Sequence, residues 1–140
     1  MHDLDTSGIE KRCKEILSVF KGVLAWKWDN RFETVLAEFG VDKKDDIQEI
    51  LGRYLSFTWD SASIGNAPHI VQTINDRLGR LRAGQLLLTS DPNGHTLIYC
   101  AWWPWGNEKT ISIRIAPSLT QSLDSERVEK IRLFRGWFGV

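Results

Sequence analysis

The stretch Gln85–Ala116, QLLLTSDPNGHTLIYCAWWPWGNEKTISIRIA, decides how the rest of the chain is read. It predicts a three-stranded antiparallel meander. Asp91-Pro92-Asn93-Gly94 places proline where a type I turn needs a φ of about −65° and glycine where a left-handed residue closes the loop. Gly106-Asn107 suits a two-residue primed turn with glycine first. With those loops Leu88 is expected opposite Ile98 and Leu86 opposite Cys100, while Trp102, Cys100 and Ile98 are expected opposite Ile111, Ile113 and Ile115. One face is then apolar throughout. The other carries Leu87, Leu97, Tyr99, Ala101 and Trp103 beside Thr110, Ser112 and Arg114, so the middle strand is greasy on both sides.

Outward from the meander the pattern is helical. Ser7 followed by Glu10 is a capping box, and Ile9, Cys13, Ile16, Leu17, Phe20 and Leu24 recur on one helical face. Val23–Trp28 either ends that helix or forms a short strand, since aromatic and β-branched residues favour extended structure. Asn30 with Glu33 opens a second helix through Phe32, Val35, Leu36 and Phe39, which Gly40 closes. Asp42 caps a third helix through Ile47, Leu51 and Leu55. Residues 57–65 predict a loop. Asn66 and Pro68 start a fourth helix through Val71, Ile74, Leu78 and Leu81, ended by Gly84. Beyond the meander, Pro117–Gln121 is a linker and Asp124 or Ser125 opens a last helix through Val128, Ile131 and Phe134. The expected architecture is one α+β domain over residues 1–140. It has an N-terminal tail (1–6), four N-terminal helices, the three-stranded antiparallel β-meander (85–116) and a C-terminal helix (124–136).

The 18 basic and 18 acidic side chains cancel, so no global field drives the chain towards nucleic acid or an acidic membrane. Two cysteines, both at expected core positions, fit a reducing compartment, and the cytoplasm is the expected location. No stretch approaches the ~18 apolar residues of a membrane span.

Little in the chain points to catalysis. His95 and Cys100 are separated by an odd number of residues on one strand and so face opposite ways. His69 opens a helix elsewhere. There is no CxxC or HExxH for a metal, and Gly79 and Gly84 lack the lysine and the strand of a phosphate loop. Asp45 and Asp46 suit the first turn of a helix. No catalytic residue, cofactor or metal is therefore expected, and a small enzyme is the least favoured reading.

Seven tryptophans is a high count for this length, and three crowd into Trp102-Trp103-Pro104-Trp105. Alternation sends Trp102 to the helix-covered face, where it serves the core. Trp103, Trp105 and Tyr99, with Arg114 beside them, are the candidate contact patch for a protein partner, because Trp, Tyr and Arg dominate interface hot spots. The chain is accordingly expected to be a non-enzymatic protein-interaction module: an adaptor, a specialised chaperone or an inhibitor, with a homodimer as one form of the same use. The alternative is a weak single-stranded nucleic-acid binder. It would use Arg77 and Arg80 on one helix face, with Arg82 and Trp103, and Arg127, Lys130 and Arg132 if the two helices are neighbours.

Overall fold

The Ile111, Ile113 and Ile115 strand fills one face of a sheet and has a hydrogen-bonded neighbour on both of its edges, one more than a meander provides. In a computed structural model, which describes residues 7–93, 97–118 and 124–140, that second neighbour comes from the N-terminal half of the chain. The elements run α1 (Ser7–Val19), β1 (Lys27–Asp29), β2 (Thr34–Gly40), α2 (Lys44–Tyr54), β3 (Phe57–Trp59), α3 (His69–Arg77), β4 (Leu86–Thr89), β5 (Ile98–Pro104), β6 (Thr110–Pro117) and α4 (Asp124–Phe138). The six strands form one antiparallel sheet in the order β1-β2-β6-β5-β4-β3. The chain is thus α+β, but not four N-terminal helices followed by a three-stranded meander. The expected tail at 1–6, Gly94, His95, most of the linker before α4, and the side chains of Ser7 and Asp124 lie outside the described residues.

The main correction is at residues 30–40. Val35, Leu36 and Phe39 fit a helical stripe, but Val35, Ala37 and Phe39 also alternate, and the alternation wins because it meets Ile115, Ile113 and Ile111 on β6. Asn30 does not cap a helix. It sits in the β1–β2 turn, where Asp29 Oδ1 accepts from Arg31 N at 3.2 Å and Oδ2 accepts from Thr34 Oγ1 at 3.2 Å. These local bonds fold the backbone back on itself instead of starting a helix. Gly40 ends β2, and a Cβ there would lie 2.5 Å from Asp42 Oδ1. The 57–65 stretch opens with the edge strand β3 rather than a loop, and Val23–Trp28 leads into β1.

The fourth helix is also shorter than its apolar spacing predicts. It ends at Arg77 because Gly79 turns left-handed (φ 90°), Arg80 N donates to Asn75 O at 2.8 Å, and Leu81 N donates to the Asn75 side chain at 2.8 Å.

Inside the meander both pairings are displaced by two residues from expectation. Leu88 pairs with Cys100 and Leu86 with Trp102, while Trp102 pairs with Ile113 and Cys100 with Ile115. The second loop is longer than two residues because Asn107 Oδ1 accepts from both Lys109 N (2.8 Å) and Thr110 N (3.1 Å), and Glu108 supplies the left-handed residue. A slip of two preserves the faces, so every side chain stays on the side that alternation assigned to it.

Helices α1, α2 and α4 pack on the isoleucine face. There Trp102 meets Phe39 with ring centroids 5.5 Å apart, Trp28 meets Phe134 at 6.4 Å, and Trp26 meets Phe138 at 5.4 Å. The segment 60–85 covers part of the other face, where Leu87, Tyr99 and Ala101 are buried along with Val71 and Ile74 of α3. Trp59 Nε1 ties β3 to this side by donating to Thr89 Oγ1 at 3.3 Å. Among the described residues, no helix packs over the rest of that face, on β1, β2, β6 and the end of β5.

Ile113 is fully buried on the strand with two neighbours, whereas Val128 on α4 is 70% exposed. Ile113→Ala should lower unfolding free energy in urea by roughly 2–5 kcal/mol, and Val128→Ala should stay within about 0.5 kcal/mol of wild type. Equal effects would contradict the placement of β6 at the centre of the core.

Candidate functional site

The uncovered part of the sheet is built around Arg114. Alternation along β6 sends this side chain away from the isoleucine face, and the β1–β2 turn closes over it. Arg114 Nε donates to Asp29 Oδ2 at 3.0 Å, and its Nη1 donates to Ser112 Oγ at 3.2 Å. Its guanidinium carbon lies 4.4 Å from the centre of the Trp103 ring and 5.6 Å from that of Phe32. Phe32 and Trp103 meet edge-on at 5.3 Å, and Arg31 stacks on Phe32 at 4.9 Å. Two cations and two rings are therefore layered on one another. Each contact is worth about 0.5–1 kcal/mol when exposed and up to ~2 when desolvated. The Arg114 contacts fall nearer the desolvated limit, since its side chain is 17% exposed and that of its partner Asp29 11%.

Of the residues singled out for partner contact, Trp103 and Arg114 come together in this stack. Trp105 stands beside it at the hairpin end, 43% exposed. Tyr99 does not join them. It lies on the same face, but under cover at 8% exposure, and burial pushes its phenol up to about 12. Alternation gave the face and could not give the cover. Asp29, Phe32 and Arg31 belong to the stack although the helical reading of 30–40 hid them. The overlooked signal was the Val35, Ala37, Phe39 alternation.

The nucleic-acid set is scattered. Arg77 lies 3.6 Å from Glu33 and Arg80 Nε bonds Asp76 at 3.3 Å, so each has a carboxylate beside it. The two do not share a helix face, because α3 ends at Arg77 and Arg80 follows in a left-handed conformation (φ 68°). Arg82 lies in the loop beyond, its backbone N–H held by Gln85 Oε1. Arg127 of α4 does approach Arg77, since both reach Glu33, while Arg132 pairs with Glu129.

Cys13 and Cys100 are buried and unpaired. Burial pushes the Cys13 thiol up to about 12 and raises Cys100 further. His69 is the first residue of α3. Among the described residues no three His, Cys, Asp or Glu side chains gather closely enough to hold a metal ion. A surface cavity of about 490 Å³ between α2 and the turn after α1 is lined by Val23, Lys43, Ile47, Ile50 and Arg53 among others, away from the aromatic stack. No protein-family model, no curated protein and no solved structure matches the chain.

Three outcomes are expected. Asp29→Ala should cost roughly 1–3 kcal/mol because it strands a largely buried guanidinium, and Asp29→Ala with Arg114→Ala should cost less than the sum of the single changes; additive losses in a urea double-mutant cycle would mean that the pair is not coupled. Both thiols should resist a thiol reagent at pH 8 until the chain is unfolded. The raised values also set a sign: stability contributed by the protonated Cys13 and Tyr99 groups is intact below their unfolded pKa values, ~8.5 and ~10. It is lost as pH rises towards about 12, so alkaline unfolding that is insensitive to Cys13→Ala would contradict the thiol's part in it.

Proposed function

We propose that this chain is a non-enzymatic protein-interaction module, acting as an adaptor, specialised chaperone or inhibitor. It receives a protein partner on the uncovered sheet face, against Trp103, Arg114 and Phe32, with Trp105 at the rim. One observation carries the reading: an arginine is held over aromatic rings on a face that no described helix covers, beside an exposed indole. Side chains fixed in this way lose little entropy on binding, and Trp, Tyr and Arg are the residue types that contribute most to protein interfaces. Tyr99 is left out of the contact set because it lies under cover. The two unpaired buried cysteines accord with action in a reducing compartment such as the cytoplasm.

The test is a photo-reactive residue at position 105, with the same residue at exposed position 128 as control, irradiated in the native cell. A discrete polypeptide adduct from 105 and not from 128, lost in Phe32→Ala, is the expected result. An adduct of twice the chain mass would identify a second copy as the partner. A nuclease-sensitive adduct, or labelling equal at the two positions, would overturn the reading.

A further inference from the structure

Glu33 stands where helices from opposite sides of the sheet reach the first hairpin. Arg77, at the end of α3, and Arg127, in the first turn of α4, each direct one terminal nitrogen at the same atom, Glu33 Oε1. A carboxylate ordinarily matches one guanidinium, two oxygens to two N–H groups. Here a single oxygen is shared by two like charges. The neighbouring Asp29 does not relieve the excess, because Arg114 already occupies it. The buried Tyr99 phenol feels Arg77, Arg127, Glu33 and Asp29 together, which places this cluster against one side chain.

The backbone at this point adds a second indication. Glu33 is held at φ 57°, in the left-handed region where a long side chain is disfavoured and Gly or Asn is usual. The turn geometry therefore does not call for glutamate. The two arginines do. All three side chains remain reachable from solvent, Arg77 at 39%, Glu33 at 35% and Arg127 at 30% exposure, so a small solute can enter without any element unfolding.

We infer that Arg77 and Arg127 form a binding site for an oxyanion, and that Glu33 is its built-in occupant when no ligand is present. The ligand chemistry is a phosphate or carboxylate group able to accept from both guanidiniums at once. A dianion balances both charges, which the single charge of Glu33 does not. The site lies on the Glu33 side of the hairpin, apart from the Arg114 stack, and does not rest on the docking face proposed above.

The experiment titrates the full chain with inorganic phosphate, and separately with succinate, while following arginine Nε–Hε resonances. In wild type, Arg77 and Arg127 should shift before Arg31 and Arg80. Glu33→Gln keeps the side-chain length while removing the competing charge, and should tighten phosphate binding by about tenfold. Arg77→Gln or Arg127→Gln in that background should abolish the gain. A preference for phosphate would identify a phosphoryl ligand and a preference for succinate a carboxylate ligand. Binding no tighter in Glu33→Gln, or a gain that survives both arginine changes, would overturn the site. If Glu33→Gln does not fold, the order of the wild-type shifts decides, and Arg31 or Arg80 responding first is the overturning result.

Discussion

The fold depends on where the strand of three alternating isoleucines finds its hydrogen-bond partners. A buried strand cannot leave backbone groups unpaired along either edge, because each orphaned donor or acceptor costs about as much as a lost hydrogen bond. β6 has β5 on one edge through a short loop. Its other edge has to be met by a segment distant in sequence. Val35, Ala37 and Phe39 suit that role, since they lay three apolar side chains beside Ile115, Ile113 and Ile111. Once β2 is committed to β6, Asp29 and Thr34 close a hairpin, β1 follows, and residues 30–40 are no longer available for a helix.

That pairing also distributes cover unequally between the two faces. The isoleucine face takes α1, α2 and α4, and with them Trp26, Trp28 and Trp102. The other face is covered by the 60–85 segment on its β3–β4 side, and no described helix lies over β1, β2 and β6. β5 crosses the boundary, and its apolar character on both sides has two separate causes. Tyr99 and Ala101 lie under the cover and serve the core, while Trp103 lies beyond it and rests on Arg114. Trp105 is the one exposed tryptophan of the seven and the others are buried or partly buried, so most of the unusual tryptophan content packs the interior or its margins.

What could be read directly from the chain follows the range of the forces involved. The amphipathic spacing in α1, α2, α3 and α4 and the alternation in β5 and β6 are local properties, and each element forms in the stretch its own residues indicate, although α3 stops at Arg77, short of Leu78 and Leu81. The facing of Trp102, Trp103 and Arg114 was likewise legible, because a slip of two residues in the loops does not change parity. The β1–β2 hairpin was not, since Val35-Leu36-Ala37-Glu38-Phe39 satisfies a helical and an extended period about equally well. Its choice is made by Ile111–Ile115, some 75 residues away. Phe32 and Asp29 were lost from the site for the same reason. Tyr99 was misjudged because parity gives a side chain its face and says nothing of whether another segment covers it.

Charge is organised around that same hairpin. The whole chain is neutral, yet its acidic turn residues are used to gather basic groups from remote elements. Asp29 takes Arg114 from β6, and Glu33 takes Arg77 from α3 and Arg127 from α4. Isolated surface pairs such as Arg80–Asp76 and Arg53–Glu49 stay within one segment and contribute about 0–1 kcal/mol each. The hairpin pairs differ in kind, since each links residues far apart in sequence and fixes the position of one element against another. The hairpin end, Asp29 to Glu33, thereby sets the relative placement of the central strand and of helices on both faces. The left-handed conformation of Glu33 is tolerated because the two guanidiniums hold its carboxylate in place. The turn that local sequence rules place least securely is the one to which the tertiary electrostatics are most closely tied.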